Sequence, residues 1–334
     1  MIRFIKKWML PIAMVTGASL YLLYHIMPEP VHQAGPFLNS AVSIMQPLLI
    51  FAMLFLTFCR IEPRELKPHR WHWWLLLVQG GMFVLLGLVA WLILFRCSGE
   101  HHDLVVLLES AMLCFICPTA TAAAVVTRKL GGDVPGITTY IVLVNMLAAV
   151  LVPVVVPLIH PETGLAFSAA FSMILAKVFP LLITPCLCAW LVRYLMPSLL
   201  RRLMRYPDLP FYLWGVALTL AIAVTTKSIV KSDMAAGLLM WMALISLVCC
   251  FAQFALGRWI GGCLLPRKHR GLCSGVDFQK CNKITAGQSL GQKNTVFSIW
   301  MGYTFMTPET AIIGGFYSIW HNVYNSWQLR RAGK

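Results

Sequence analysis

Ten apolar stretches of about 20 residues each, the length at which a helix crosses a hydrocarbon core of roughly 30 Å, constrain this chain more than any other feature. Apolar runs between charged residues and Pro or Gly punctuation place them near 8–27, 38–58, 73–95, 104–126, 136–159, 170–195, 209–226, 234–257, 284–305 and 309–328. They occupy most of the 334 residues, of which 59% are hydrophobic and 12% charged, against roughly 25% charged in soluble domains. Only short connections remain, which excludes a soluble globular protein and leaves no room for a sizeable soluble domain. The stretch from Trp8 to Met27 follows Arg3, Lys6 and Lys7; its length predicts a retained span rather than a cleaved signal.

A net charge of +15 would suit nucleic acid if it lay on a soluble face. Here the basic residues flank spans, so they report orientation instead. Taking alternate connections, 22 of the 27 Lys and Arg fall on one side and three (Arg96, Lys227 and Lys231) on the other, with Lys177 and Lys293 inside spans. That asymmetry, and the even span count, predict a multi-pass protein of the plasma (inner) membrane with both termini cytoplasmic, partnered by lipid and not by nucleic acid. Five spans per half would invert the second half relative to the first, as in inverted-repeat transporters.

Seven of the eleven cysteines (Cys59, Cys114, Cys117, Cys186, Cys188, Cys249 and Cys250) lie in apolar runs, where Cys behaves as a small hydrophobe. Cys273 and Cys281 lie in a polar connection without Cys or His at zinc spacing. Neither a metal site, a cofactor nor a disulfide framework is expected. There is no phosphate-binding glycine loop, zinc-protease motif or nucleophile elbow, so an enzyme is not expected either.

Two spans are interrupted. The fourth contains Cys117-Pro118-Thr119, and the ninth has a polar, Gly-containing interior from Gly287 to Thr295. Both are the fourth span of their half, and paired breaks at corresponding positions point to a midplane binding site, since unwound backbone survives at membrane depth only where it lines a cavity or protein. Polar residues concentrate around them: Gln79, Glu109, Thr119 and Thr121, then Ser289, Gln292, Lys293 and Asn294, with His321 and Asn322 in the last span. Lys293 is too deep in its span to snorkel, and the sequence leaves it either as a functional charge or as the partner of a carboxylate such as Glu109. His321 and Asn322 read equally as a ligand pair or a core pair between helices. Lys177 reads mainly as an isolated polar residue on an apolar helix.

The string CPTATAAAVVTRKLGGD at Cys117–Asp133, SLGQKN at Ser289–Asn294 and FYSIWHN at Phe316–Asn322 resemble segments of the bile acid:sodium symporter superfamily in matching order. The resemblance implies an all-α fold of ten transmembrane helices in a 5+5 inverted repeat. A core near 73–159 and 234–328 would hold the crossing broken spans, against a panel near 8–58 and 170–226. It implies transport of organic anions coupled to sodium, with Thr121, Asn294, His321 and Asn322 at substrate positions.

The sodium ligands of that family are largely missing. Ala123 and Ala124 stand at two ligand positions, Ile137 and Ile141 at two hydroxyl positions, and Ser289 at a shared glutamate; alkyl groups offer no oxygen to a hard cation. Gln79 is retained, but Lys293 replaces a glutamine ligand, and an ammonium about 4 Å from a cation costs roughly 4 kcal/mol at an effective dielectric of 20. The expected function is therefore a secondary transporter or facilitator of small organic anions in which sodium binding is lost and the Lys293 charge, or a proton carried by Lys293 or Glu109, replaces it. Thr119, Thr121, Asn294, His321 and Asn322 would bind substrate, and Lys293, Gln79, Glu109, Ser289 and Gln292 would serve coupling. Three alternatives stay open: a sodium-coupled symporter with rearranged sites, a sodium/proton antiporter, and a non-transporting receptor of the same fold.

Overall fold

The computed structural model describes residues 2–28, 33, 35–96, 102–160, 166–206, 209–231, 234–263 and 278–332. Cys273 and the basic residues of 264–277, counted in the charge asymmetry, lie outside them. The described residues are helical throughout, apart from turns and one isolated β-bridge. Six helical segments are long and apolar enough to cross a membrane: Gly35–Phe58, Arg70–Phe95, Val134–Ile159, Phe167–Leu195, Leu209–Lys231 and Ala236–Cys263. A shorter apolar stretch, Pro11–Ile26, lies within the N-terminal helix.

In chain order the helices are α1 (Ile2–Ile26), α2 (Gly35–Phe58), α3 (Arg70–Arg96), α4 (His102–Ile116), α5 (Ala123–Leu130), α6 (Val134–Ile159), α7 (Phe167–Leu182), α8 (Thr184–Leu195), α9 (Pro197–Met204), α10 (Leu209–Lys231), α11 (Ala236–Cys263), α12 (Phe278–Gly291), α13 (Thr295–Phe305) and α14 (Ala311–Ala332). The fourth predicted span is thus α4 and α5 with Cys117–Ala122 between them, and the ninth is α12 and α13 with Gln292–Asn294 between them. Two details differ from the sequence reading. The second half-helix of the fourth span starts at Ala123, not near Thr119, because Thr121 and Ala122 form a turn. The ninth span breaks only after Gly291, with Gly287 inside the helix.

The sixth predicted span also divides, between Leu182 and Thr184, where Pro185 takes an early position in α8 that needs no amide donor. The short α9, carrying Arg201 and Arg202, buries none of its residues fully and rests Leu200 and Leu203 against the core. At the end of α5, Gly131 takes φ +80°, a left-handed cap that lets Gly132 N–H donate to Thr127 O at 2.8 Å. The next residue, Asp133, is tied to α12 through its amide and Thr285 Oγ1 at 2.8 Å; burial raises its carboxyl above the ordinary range, opposed by the Gly136 amide and by His69. Cys281 is disulfide-bonded, a bridge in a chain whose sequence predicts no disulfide framework.

One apolar cluster runs through the molecule, from Ile50 and Phe58 of α2 through Val152 of α6 and Val178 of α7 to Phe297 of α13 and Ile313 of α14. Helices α11 and α12 pack closely against each other, and their sequence explains why. Gly257 and Gly261 on α11 face Ala286, Gly287 and Asn282, while Gly287 and Gly291 on α12 receive Arg258 and Phe254. Each helix therefore presents a G-x-x-x-G step to the other, and small residues let backbones approach where lipid gives no hydrophobic drive to associate. This packing fixes the first half of the ninth span. A methyl group at Gly257 would clash with the Ala286 carbonyl and the Gly287 Cα, which are backbone and cannot turn aside. Gly257→Ala should lower the thermal unfolding midpoint in detergent by several degrees, on the order of 1–3 kcal/mol of overpacking, whereas Gly237→Ala, at an open position, should not; equal midpoints would contradict this packing.

Candidate functional site

Backbone released from a helix at membrane depth needs partners, because an unpaired amide or carbonyl there costs several kcal/mol. The two breaks supply them to each other. Thr119 and Lys293 form an antiparallel bridge, in which Ala120 N–H donates to Gln292 O at 2.9 Å and Asn294 N–H donates to Pro118 O at 2.8 Å. Cys117 Sγ donates to Asn294 O at 2.8 Å, and Thr119 Oγ1 donates to Ser289 O at 2.5 Å. Pro118 lacks an amide hydrogen, so a carbonyl acceptor is all that it offers here. Residues far apart in sequence thus become a single two-stranded junction.

Neighbouring helices close it. Gln79 of α3, fully buried, donates through Nε2 to Cys117 O at 3.1 Å and to Ile116 O at 3.4 Å, while its Oε1 accepts from Tyr140 OH of α6 at 3.0 Å. On the other side Gln253 of α11 donates to Cys114 O at 3.1 Å and to Tyr317 OH at 3.3 Å, and Tyr317 OH donates to Gly291 O at 2.9 Å. The carbonyls that end α4 and α12 are therefore met by side chains of α3, α11 and α14.

Lys293 is 1% exposed. Its Nζ donates to Phe115 O at 3.2 Å, a carbonyl of the last turn of α4, where the helix dipole favours a cation. The thiols of Cys114, Cys117, Cys249 and Cys250 lie near enough to interact with it electrostatically. Among the described residues it makes no ion pair. The Lys293–Glu109 pairing left open by the sequence does not form: Glu109 lies two turns earlier on α4, with Oε1 2.9 Å from His160 Nε2 and Oε2 accepting from Thr307 N–H at 3.2 Å.

The remaining predicted residues divide. Asn294 caps α13, its Oδ1 accepting from Phe297 N–H at 3.3 Å. Thr121 is half-buried in the turn before α5. His321 is buried with its ring edge-on to Tyr317 at 5.7 Å, whereas half-buried Asn322 turns its amide back to Ser318 O of its own helix at 2.6 Å. The junction brings together Thr119, Ser289, Gln292, Lys293, Asn294 and Gln79; Glu109 belongs to a separate cluster.

Sequence reasoning passed over Tyr140, Tyr317, Gln253 and the thiols near Lys293. It also missed that His321 belongs to a polar face on α14, where Ser318, His321, Asn325 and Gln328 recur at helical spacing, with Asn325 and Gln328 against Gln288 of α12. That spacing was available as a signal. Gln288 Nε2 donates to Asn325 Oδ1 at 2.9 Å. Ser289 Oγ, Gln292 Oε1, Ser318 Oγ and His321 Nδ1 are buried and, among the described residues, carry no hydrogen bond, an arrangement that costs about 1–3 kcal/mol per group unless a polar guest meets it.

Residues 47–233, more than half of the chain, match the sodium bile acid symporter family. The chain belongs to the sodium bile acid symporter family. It is accordingly a transmembrane transporter of the sodium/bile acid type, in a family of transporters rather than enzymes. The matched range runs from α2 to α10 and carries the first break; the second break and α14 lie beyond it. No curated protein matches the chain.

Gln79→Leu would leave two carbonyls at the end of α4 and the Tyr140 hydroxyl without their partner. It should destabilise the purified protein by about 1–3 kcal/mol in thermal unfolding, and Tyr140→Phe, which removes one bond, by roughly 0.5–1.5 kcal/mol. The reverse order would rule Gln79 out as the prop of the first break.

Proposed function

We propose that the chain is a ten-span secondary transporter of small organic anions, carboxylates or bile-acid-like molecules, in which the Lys293 ammonium stands where relatives hold a coupling sodium ion. The observation that carries this reading is a fully buried lysine at the junction of two broken spans whose Nζ, among the described residues, meets a carbonyl and no carboxylate. A buried charge without a counter-ion costs several kcal/mol, and one carbonyl at a helix end returns about 0.3–1 kcal/mol, at best ~2. An anionic substrate would supply the missing charge. The buried atoms of Ser289, Gln292, Ser318 and His321 that lack partners are hydrogen-bonding groups on the same elements, suited to the rest of such a molecule, with Thr119, Thr121, Asn294 and Asn322 as the further substrate positions.

In this reading the halves form a 5+5 inverted repeat, with a core near 73–159 and 234–328 moving against a panel near 8–58 and 170–226. The weight of Lys and Arg on one side supports both termini in the cytoplasm and a place in the plasma (inner) membrane. Ala123, Ala124, Ile137 and Ile141 offer no side-chain oxygen to sodium, and Gln79 spends its amide on the end of α4.

A stabilisation screen of small carboxylates and steroid acids, with and without sodium, identifies ligands because a bound molecule raises apparent stability by mass action. With the best ligand, Lys293→Gln should weaken binding or transport tenfold or more, equivalent to about 1.4 kcal/mol; unchanged affinity and flux would remove Lys293 from the mechanism. In proteoliposomes, replacing NaCl by choline chloride should leave uptake nearly intact. A strict sodium requirement would reinstate the sodium-coupled symporter, and saturable binding without flux would mean a receptor.

A further inference from the structure

A pocket of about 310 Å³ lies between the ends of α11 and α12, lined by Arg258, Trp259, Gly262, Cys263, Gln279 and Lys283. Its chemistry is cationic and one-sided: one positive side chain comes from each helix, and neither helix contains Asp or Glu. Arg258 is held in place, with Nη2 donating to Gln328 Oε1 at 2.6 Å and the guanidinium 5.9 Å above the Tyr324 ring. Its Nε is buried and, among the described residues, makes no hydrogen bond. Gly262 keeps the space open, since a side chain there would run into the stem of Lys283.

The depth of the pocket follows from α11 itself. Trp241 and Trp259 are 58% and 64% exposed and stand 18 positions apart in the sequence, about five helical turns, so they share one face and are separated by roughly 27 Å. That is close to the thickness of the hydrocarbon core, at whose two borders Trp gathers. Between them the same face exposes Leu244, Val248 and Phe251. An apolar stripe therefore runs the length of the lipid layer and ends beside the two cations.

We propose that this pocket binds the phosphate-bearing headgroup of an anionic membrane phospholipid whose acyl chain lies along the half of the stripe nearer Trp259, one leaflet deep. A soluble phosphate ester shares the headgroup chemistry and lacks the chain. The stripe favours the lipid, and basic pockets between spans at the interface are suited to such headgroups. The site is separate from the junction at Lys293 and stands whether or not that reading holds.

The test is thermal unfolding of the purified full chain in detergent with added phosphatidylglycerol, phosphatidylcholine or glycerol 3-phosphate. Phosphatidylglycerol should raise the midpoint by several degrees more than phosphatidylcholine does, and glycerol 3-phosphate should not reproduce the rise. Lys283→Gln should remove at least half of the difference between the two lipids. Lys280→Gln, an equal loss of charge at an exposed position outside the pocket lining, should keep it. Arg258→Gln should act like Lys283→Gln, and if that variant does not fold, Lys283→Gln decides alone. Equal effects of the two lipids, an equal rise with glycerol 3-phosphate, or equal losses in Lys280→Gln and Lys283→Gln would each overturn the proposal.

Discussion

Everything in this molecule turns on how two stretches of unwound backbone are satisfied where water is scarce. A helix in lipid pairs its own amides and carbonyls, and a break forfeits that self-sufficiency. The bridge between Thr119 and Lys293 restores it by pairing the breaks with each other, and side chains from α3, α11 and α14 meet the carbonyls left at the ends of α4 and α12. The positions of Lys293, Asn294 and Thr119 are consequences of that pairing. Neither broken span could hold them alone.

The close approach of α11 and α12 serves the same end. Glycine steps on both helices bring the backbones together, which sets the depth at which α12 stops and Gln292 begins. Gln253 and Phe254 lie side by side on α11: one reaches the end of α4, the other fills the space left by Gly291. Packing and hydrogen bonding are thus assigned to adjacent residues of one helix.

Much of the architecture was legible from apolar length and punctuation, including both interruptions, because Pro118 and the Gly-Gln-Lys-Asn run break the two patterns that define a span. The divided sixth span was less so, as Pro180 and Pro185 both offered a break, yet Pro180 lies inside α7 and only Pro185 stands at the division, in the first turn of α8. The site was legible as residue types and not as pairings. Glu109 looked like a partner for Lys293 because both are charges in apolar runs, yet His160 and Thr307 N–H claim it, and no local spacing encodes a contact between residues so far apart in sequence. The thiols around Lys293 were read as small hydrophobes, which their burial supports, but their convergence on one amine depends on how α4 and α11 face each other.

A covalently attached ammonium has an electrical consequence. Sodium released with its substrate cancels that substrate's charge, whereas a lysine returns with the protein at the end of each cycle and contributes nothing to the net charge moved. On the reading proposed above, a monoanion carried past Lys293 crosses the membrane potential uncompensated, at about 2.3 kcal/mol per 100 mV. An inside-negative cell would then drive such a molecule outward, so that losing the sodium ligands and fixing one positive charge in their place would turn an accumulating design into an extruding one.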